Sequence, residues 1–173
     1  MNPLLATSQC AVPTESLFYL DTIRVVSLLT PNQTRLGRFY ADVLGLMEYS
    51  RETRGSVWCS PFSEDAQQRK VTLRLLEDAH ARARPPGTTG LFHTAFLLPS
   101  RPALAAATRA LLQWSKEDPV VNFQGYSEHG VSEAVYGTDP DGNGVELTLD
   151  HPFAQWPRGN RPGDRLNIIS QPL

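Results

Sequence analysis

An α+β fold built from two β-α-β-β-β modules is what this sequence predicts, on three observations. Apolar, β-favouring runs open at Leu17 and again at Leu91. Each leads through a capping residue, Asn32 or Ser100, into a stretch with apolar side chains at helical spacing. Short extended segments follow each helix, so the order repeats at a spacing of roughly 70 residues, too long for a solenoid repeat and right for a duplicated small domain.

Residues 1–16 mix Pro3 and Pro13 with small polar residues and read as a loose leader. The first module covers 17–78. LFYLDTIRVVSLLT reads as a buried strand ending at Pro31-Asn32. Leu36, Phe39, Tyr40, Val43 and Leu44 then mark one face of a helix that Gly45 closes. Extended runs at 46–52, 56–60 and 70–77 complete the module, with Glu77 read as solvent-facing. Residues 79–90, rich in Arg, Pro and Gly, form the linker. The second module covers 91–150: a strand over 91–99, a helix from Ser100 with Leu104, Ala107, Thr108, Leu111 and Leu112 on one face, ending near Trp114, and two or three strands between Val120 and Asp150. The tail, 151–173, ends in the apolar run LNII and is expected to wrap back over the body, anchored by Phe153 and Trp156.

Bulk properties narrow the function. With 173 residues, 20% charged, 40% hydrophobic and a net charge of −2, the chain is globular and has no basic block for nucleic acid or an anionic membrane surface. A small neutral or anionic ligand fits better. The N-terminus has no basic signal-like region and no window is long enough for a membrane span, so a cytoplasmic location is expected. Cys10 and Cys59 are compatible with a disulfide or with two thiols.

The chemistry concentrates between His129 and Glu146. Val131, Ala134, Val135 and Tyr136 lead into the turn Asp139-Pro140-Asp141-Gly142-Asn143-Gly144, and Val145, Leu147 and Leu149 then alternate with Glu146, Thr148 and Asp150. The turn puts Tyr136 and Glu146 on paired strands, with His129 near the outer end of the first. Laying one module on the other places Val25 opposite His93, and Thr72 opposite Glu146. His93 reads either as a metal ligand or as a histidine bonded to Glu146.

These residues resemble the vicinal oxygen chelate superfamily, which includes glyoxalase I, bleomycin-resistance proteins and type I extradiol dioxygenases. H-x5-V-Y-x2-D-P-x-G-x3-E, written by His129, Val135, Tyr136, Asp139, Pro140, Gly142 and Glu146, resembles the extradiol signature, with Ser127 at its one loose position. TTGLFHTAFLLPSR and SEHGVSEAVYGTDPDGNGVEL are similar to the N-terminal half of two-part catechol 2,3-dioxygenases of the CatE type, and RFYADVLGL echoes the superfamily as a whole. The resemblance implies a cupped half-barrel sheet with helices outside. It also implies an Fe(II) or other divalent ion on two histidines and a carboxylate, acting on a small aromatic diol or dicarbonyl compound. His93 and Glu146 match metal-ligand positions, and His129 and Tyr136 match positions that exchange protons with substrate.

The triad is incomplete, because Val25 stands where the first histidine belongs and no carboxylate lies at Thr72. Two-part enzymes carry their iron in the C-terminal half. Two functions therefore follow: a metal-dependent, dioxygenase-like enzyme, or a metal-free binding module of the bleomycin-resistance kind or non-catalytic relic of the N-terminal half, which holds a small molecule in its cupped sheet without turning it over. A homodimer is compatible with either.

Overall fold

The computed structural model describes residues 25–59, 71–82, 89–157 and 168–171. The expected leader, Cys10, the start of the first strand and the middle of the linker lie outside the described residues.

The elements follow the expected order twice. The first module comprises β1 (Val26–Thr30), α1 (Gln33–Leu44), β2 (Met47–Glu52), β3 (Gly55–Cys59) and β4 (Val71–Glu77). The second comprises β5 (His93–Leu97), α2 (Arg101–Glu117), β6 (Phe123–Glu128), β7 (Ser132–Thr138) and β8 (Gly144–Asp150). Each module makes a mixed four-stranded sheet, β1-β4-β3-β2 and β5-β8-β7-β6. The opening strand pairs in parallel with the closing one, because a helix and two strands intervene, and the remaining pairs are antiparallel.

Local chemistry sets the helices. The Asn32 side chain accepts a hydrogen bond from the Arg35 amide at the start of α1, and Gly45 ends it at φ 67°, a conformation that favours glycine. Leu36, Phe39 and Tyr40 are fully buried, and covering each contributes roughly 1.5–3 kcal/mol. Glu77 is a half-buried helix-capping residue, not a solvent-facing one: its Oε2 accepts from the Gln33 amide at 2.9 Å, where the helix N-terminus favours negative charge. Ser100 caps α2 in the same way as Asn32 caps α1. This helix runs to Glu117, a turn beyond the expected end. Trp114 is buried edge-on to Phe39 at 5.5 Å, and the Asp118 amide closes the turn on the Trp114 carbonyl at 2.8 Å.

One core joins the modules. Tyr40 lies 5.8 Å from the Phe96 ring and donates its hydroxyl hydrogen bond to Asp139 Oδ2 at 3.0 Å, and Arg35 pairs with Asp118. The helix-facing sides of both sheets, including Leu28, Leu73, Leu75, Phe96, Val145 and Leu147, belong to this core. The opposite faces are open: Leu29, Leu76 and Leu97 are exposed where their strand neighbours are buried.

Beyond β8 a short turn, Phe153–Gln155, precedes Trp156. Trp156 is half-buried and donates to the His151 carbonyl at 2.8 Å, and the Phe153 ring meets that of Trp156 at 5.1 Å while staying 65% exposed. The return is made by residues 168–171. Glu128 and Gln171 exchange backbone hydrogen bonds of 2.8 and 2.9 Å, which extends the sheet beside β6. Among the described residues no helix is long and apolar enough to cross a membrane.

Candidate functional site

The residues singled out in the second module meet on the open face of its sheet. The ladder sets Tyr136 directly against Glu146 and Ala95 against Glu146 from the other side, so β7, β8 and β5 present their groups together. His93 Nε2 lies 2.7 Å from Glu146 Oε2, Tyr136 donates its hydroxyl proton to Glu146 Oε1 at 2.9 Å, and His129 Nε2 lies 2.8 Å from the same hydroxyl. His129 sits just beyond β6, not on β7. Its Nδ1 faces the Ile169 carbonyl at 3.1 Å. A continuous chain of hydrogen bonds therefore runs from His93 through Glu146 and Tyr136 to His129 and the returning tail.

Gly144 makes the close approach possible. A Cβ there would lie 2.3 Å from the Phe92 carbonyl oxygen and 2.9 Å from His93 Cβ, so only glycine lets β8 reach the start of β5. The turn before it is held from within: Asp139 Oδ1 accepts from the Asp141 and Asn143 amides, and Oδ2 from Tyr40 and the Asn143 side chain. Burial pushes the Asp139 carboxyl up despite these donors. The aspartate of the signature is thus a structural group buried between modules.

Proton accounting gives the site its character. A carbonyl only accepts, so His129 Nδ1 donates to Ile169 and Nε2 is the nitrogen that meets Tyr136. Tyr136 has one proton. It lies on the Glu146 contact, so the Tyr136 oxygen faces His129 Nε2 with its lone pairs. Burial and the Glu146 carboxylate raise the Tyr136 hydroxyl to about 12, so the phenol holds its proton.

The first module offers no matching set. Pro31 and Asn32 precede α1 as Pro99 and Ser100 precede α2, which aligns Val25 with His93 and Ser27 with Ala95. Ser27 pairs with Arg74 and Ala95 with Glu146. Arg74, not Thr72, therefore occupies the place of Glu146, and Val57, which pairs with Arg74, occupies that of Tyr136. Alternation in VTLRL permits either register; the parallel ladder decides it. Val25 is 37% exposed, and Arg74 is exposed with no ion-pair partner among the described residues. On the open faces the described residues bring together one imidazole and one carboxylate, with an aliphatic side chain and a cation at the corresponding first-module positions. That donor set falls short of the three protein ligands an iron site of this type takes.

Another trio lies on the helix-facing side of the same sheet. Glu128, Glu133 and His151 each bring a ligand atom within 4.8 Å of the others. All are engaged: Glu133 with Arg101, and Glu128 with His151 Nε2 at 3.0 Å and the Gly130 amide at 2.6 Å. Burial acts to raise the Glu128 carboxyl, but these donors outweigh it and hold it below the usual range.

Comparison with known proteins places this geometry. No protein-family model matches the chain. It is 34% identical over 122 residues to a catechol-2,3-dioxygenase of Bacillus subtilis (strain 168), spanning 70% of this chain and 39% of that protein. It is 43% identical over 125 residues to biphenyl-2,3-diol 1,2-dioxygenase 3 of Rhodococcus globerulus, spanning 72% of this chain and 60% of that protein. In structure it matches a glyoxylase/bleomycin resistance protein/dioxygenase domain from Frankia sp. EAN1pec, with TM-score 0.57, 18% identity, and 76% and 99% of the two chains covered. Likeness in sequence and in structure together supports the vicinal oxygen chelate superfamily. A glyoxalase/dioxygenase from Nostoc punctiforme shares the superfamily fold, with TM-score 0.56, 18% identity, and 88% and 99% covered. The chain spans less than two thirds of the two sequence relatives, and within the superfamily its second module carries the recognisable site.

Proposed function

We propose that this superfamily member binds a small hydroxylated aromatic molecule of the catechol kind on the open face of β5, β7 and β8, exchanging protons with it through His129 and Tyr136. The observation that carries this reading is the unbroken chain His93–Glu146–Tyr136–His129, in which donors and acceptors are already positioned. The names of the two sequence relatives concern catechol and biphenyl-2,3-diol, both vicinal aromatic diols, and support the ligand class. With Val25 and Arg74 at the first-module positions, binding in this chain does not depend on a resident iron.

A second reading is Fe(II)-dependent, or other divalent-metal-dependent, ring cleavage of a catechol. The convergence of His93 and Glu146 at 2.7 Å favours it, provided a third ligand comes from outside this chain, as from a second copy in a homodimer. A dicarbonyl ligand fits the same donors.

Metal analysis of anaerobically purified protein, with calorimetric titration of catechol into chelator-treated protein, separates the readings. We expect little iron, and catechol binding that is lost in Tyr136→Phe and His129→Ala. Failure of the metal-free protein to bind catechol overturns the first reading. About one equivalent of iron, lost in His93→Ala and Glu146→Gln, with a yellow ring-cleavage product, establishes the second.

A further inference from the structure

The segment 168–171 lies against the edge of the second sheet at Ser127, Glu128 and His129. Two backbone bonds between Glu128 and Gln171 hold it there, the Ile169 amide donates to the His129 carbonyl at 3.1 Å, and the Ser127 and Ser170 hydroxyls lie 3.1 Å apart. Ile168 and Ile169 remain 66% and 41% exposed, so little apolar burial holds the strap down. Main-chain bonds to Glu128 and His129 hold it beside β6, the Ser127 hydroxyl adds contacts to Ser170 and the Gln171 carbonyl, and the Ile169 carbonyl faces the His129 ring.

We infer that this strap is a positioning element for His129, and that the Ile169 carbonyl selects the ring's tautomer. A neutral imidazole has one N–H, and the partner of that N–H decides which nitrogen is left as acceptor. Ile169 takes the Nδ1 proton, which leaves the lone pair of Nε2 facing the Tyr136 oxygen, so that Nε2 is the atom able to take up a proton that a ligand or the phenol gives up there. Without the strap His129 stands beyond the end of β6 with no other group on Nδ1 among the described residues, and the ring is free to rotate or to place its proton on Nε2. In that state Nε2–H can only donate to Tyr136, and the path for a proton moving from ligand or phenol to the histidine is closed. A main-chain group more than 30 residues downstream thereby sets the direction of proton transfer. This inference rests on the proposed proton-exchange role of His129.

Nitrogen-15 spectra of the histidine side chains test it directly, at about pH 8.5 where imidazoles are neutral. In the intact chain His129 is expected as the Nδ1–H tautomer. Ile169→Pro with Gln171→Pro removes the two amide donors that fix the strap, and is expected to move His129 toward the Nε2–H form while the His93 and His151 signals and the unfolding transition stay in place. Should the proline pair unfold the protein, removal of residues 168–173 is read in the same way. An Nε2–H ring in the intact chain, or an Nδ1–H ring that persists without the strap, overturns the inference. A tautomer that follows the strap in a protein that binds no catechol keeps the inference and rejects the proposed function; catechol binding with an indifferent tautomer does the reverse.

Discussion

Where β8 of the second module carries Glu146, β4 of the first carries Arg74; where β5 begins with His93, β1 is preceded by Val25; and Val57 stands in the place of Tyr136. On the helix-facing sides the same comparison gives near identity in kind. Leu28 matches Phe96, Leu73 matches Val145 and Leu75 matches Leu147, all buried. A core position must stay apolar and of suitable volume, because a cavity or a buried charge there costs several kcal/mol. The open face carries no such constraint, so one module keeps a polar chain there and the other an arginine, Arg74, beside Ser27 and Val57, with no ion-pair partner among the described residues.

Transplanting the site is the strongest way to break this contrast. Val25→His with Arg74→Glu gives the first module the imidazole and carboxylate that the second already has. If both open faces serve one centre, affinity for Fe(II) or Mn(II) rises on the order of 100-fold or more, since a direct ligand is worth more than the 10–100-fold of an outer-shell partner. Metal titration under anaerobic conditions reads this. Unchanged affinity would show that the two faces act separately.

Two glycines test whether stability and site separate by module. Gly37→Ala in α1 puts a Cβ 2.2 Å from the Trp58 ring, and Gly144→Ala puts one 2.3 Å from the Phe92 carbonyl. Each overpacks a tight contact and is expected to lower stability by about 1–3 kcal/mol in denaturant unfolding. Only Gly144→Ala should weaken catechol binding, because it displaces His93 from Glu146. Equal loss of binding in both variants would mean that the first module shapes the site.

The smallest effects concern carboxylates outside the site. Glu128 and Glu48 both titrate below their ordinary value, the first through donors that outweigh its burial, the second through Arg51. For a carboxyl depressed in the folded state, stability is present above the unfolded value, near pH 4.3, and is lost as pH falls through the folded one. Glu128→Gln should flatten that acid-side loss in a series of unfolding curves. Glu48→Gln should change stability by less than about 0.5 kcal/mol, because its partner is a neighbour on an exposed strand.

How far the sequence reaches differs by feature. The cap at Asn32, the glycine at Gly45 and the repeated element order were legible because they depend on residues close in the chain. The pairing of Tyr136 with Glu146 was legible through the turn Asp139–Gly144, which sets the register of the two strands it joins. The register of β4 was not, because its partner β1 lies more than 40 residues away and alternation alone leaves Thr72 and Arg74 on the same face. Glu77 was misread for a similar reason: its partner, the Gln33 amide, is a main-chain group 44 residues distant.

By itself, then, the sequence determined the two modules, their helices and the pairing that brings Tyr136 against Glu146, since periodicity, capping and a short turn are local physics. Only the tertiary structure decided that Arg74 faces outward in the place of Glu146, that Asp139 is buried under Tyr40, and that the Ile169 carbonyl holds His129. Those contacts join main-chain atoms or distant strands, and neither leaves a pattern in the order of residues.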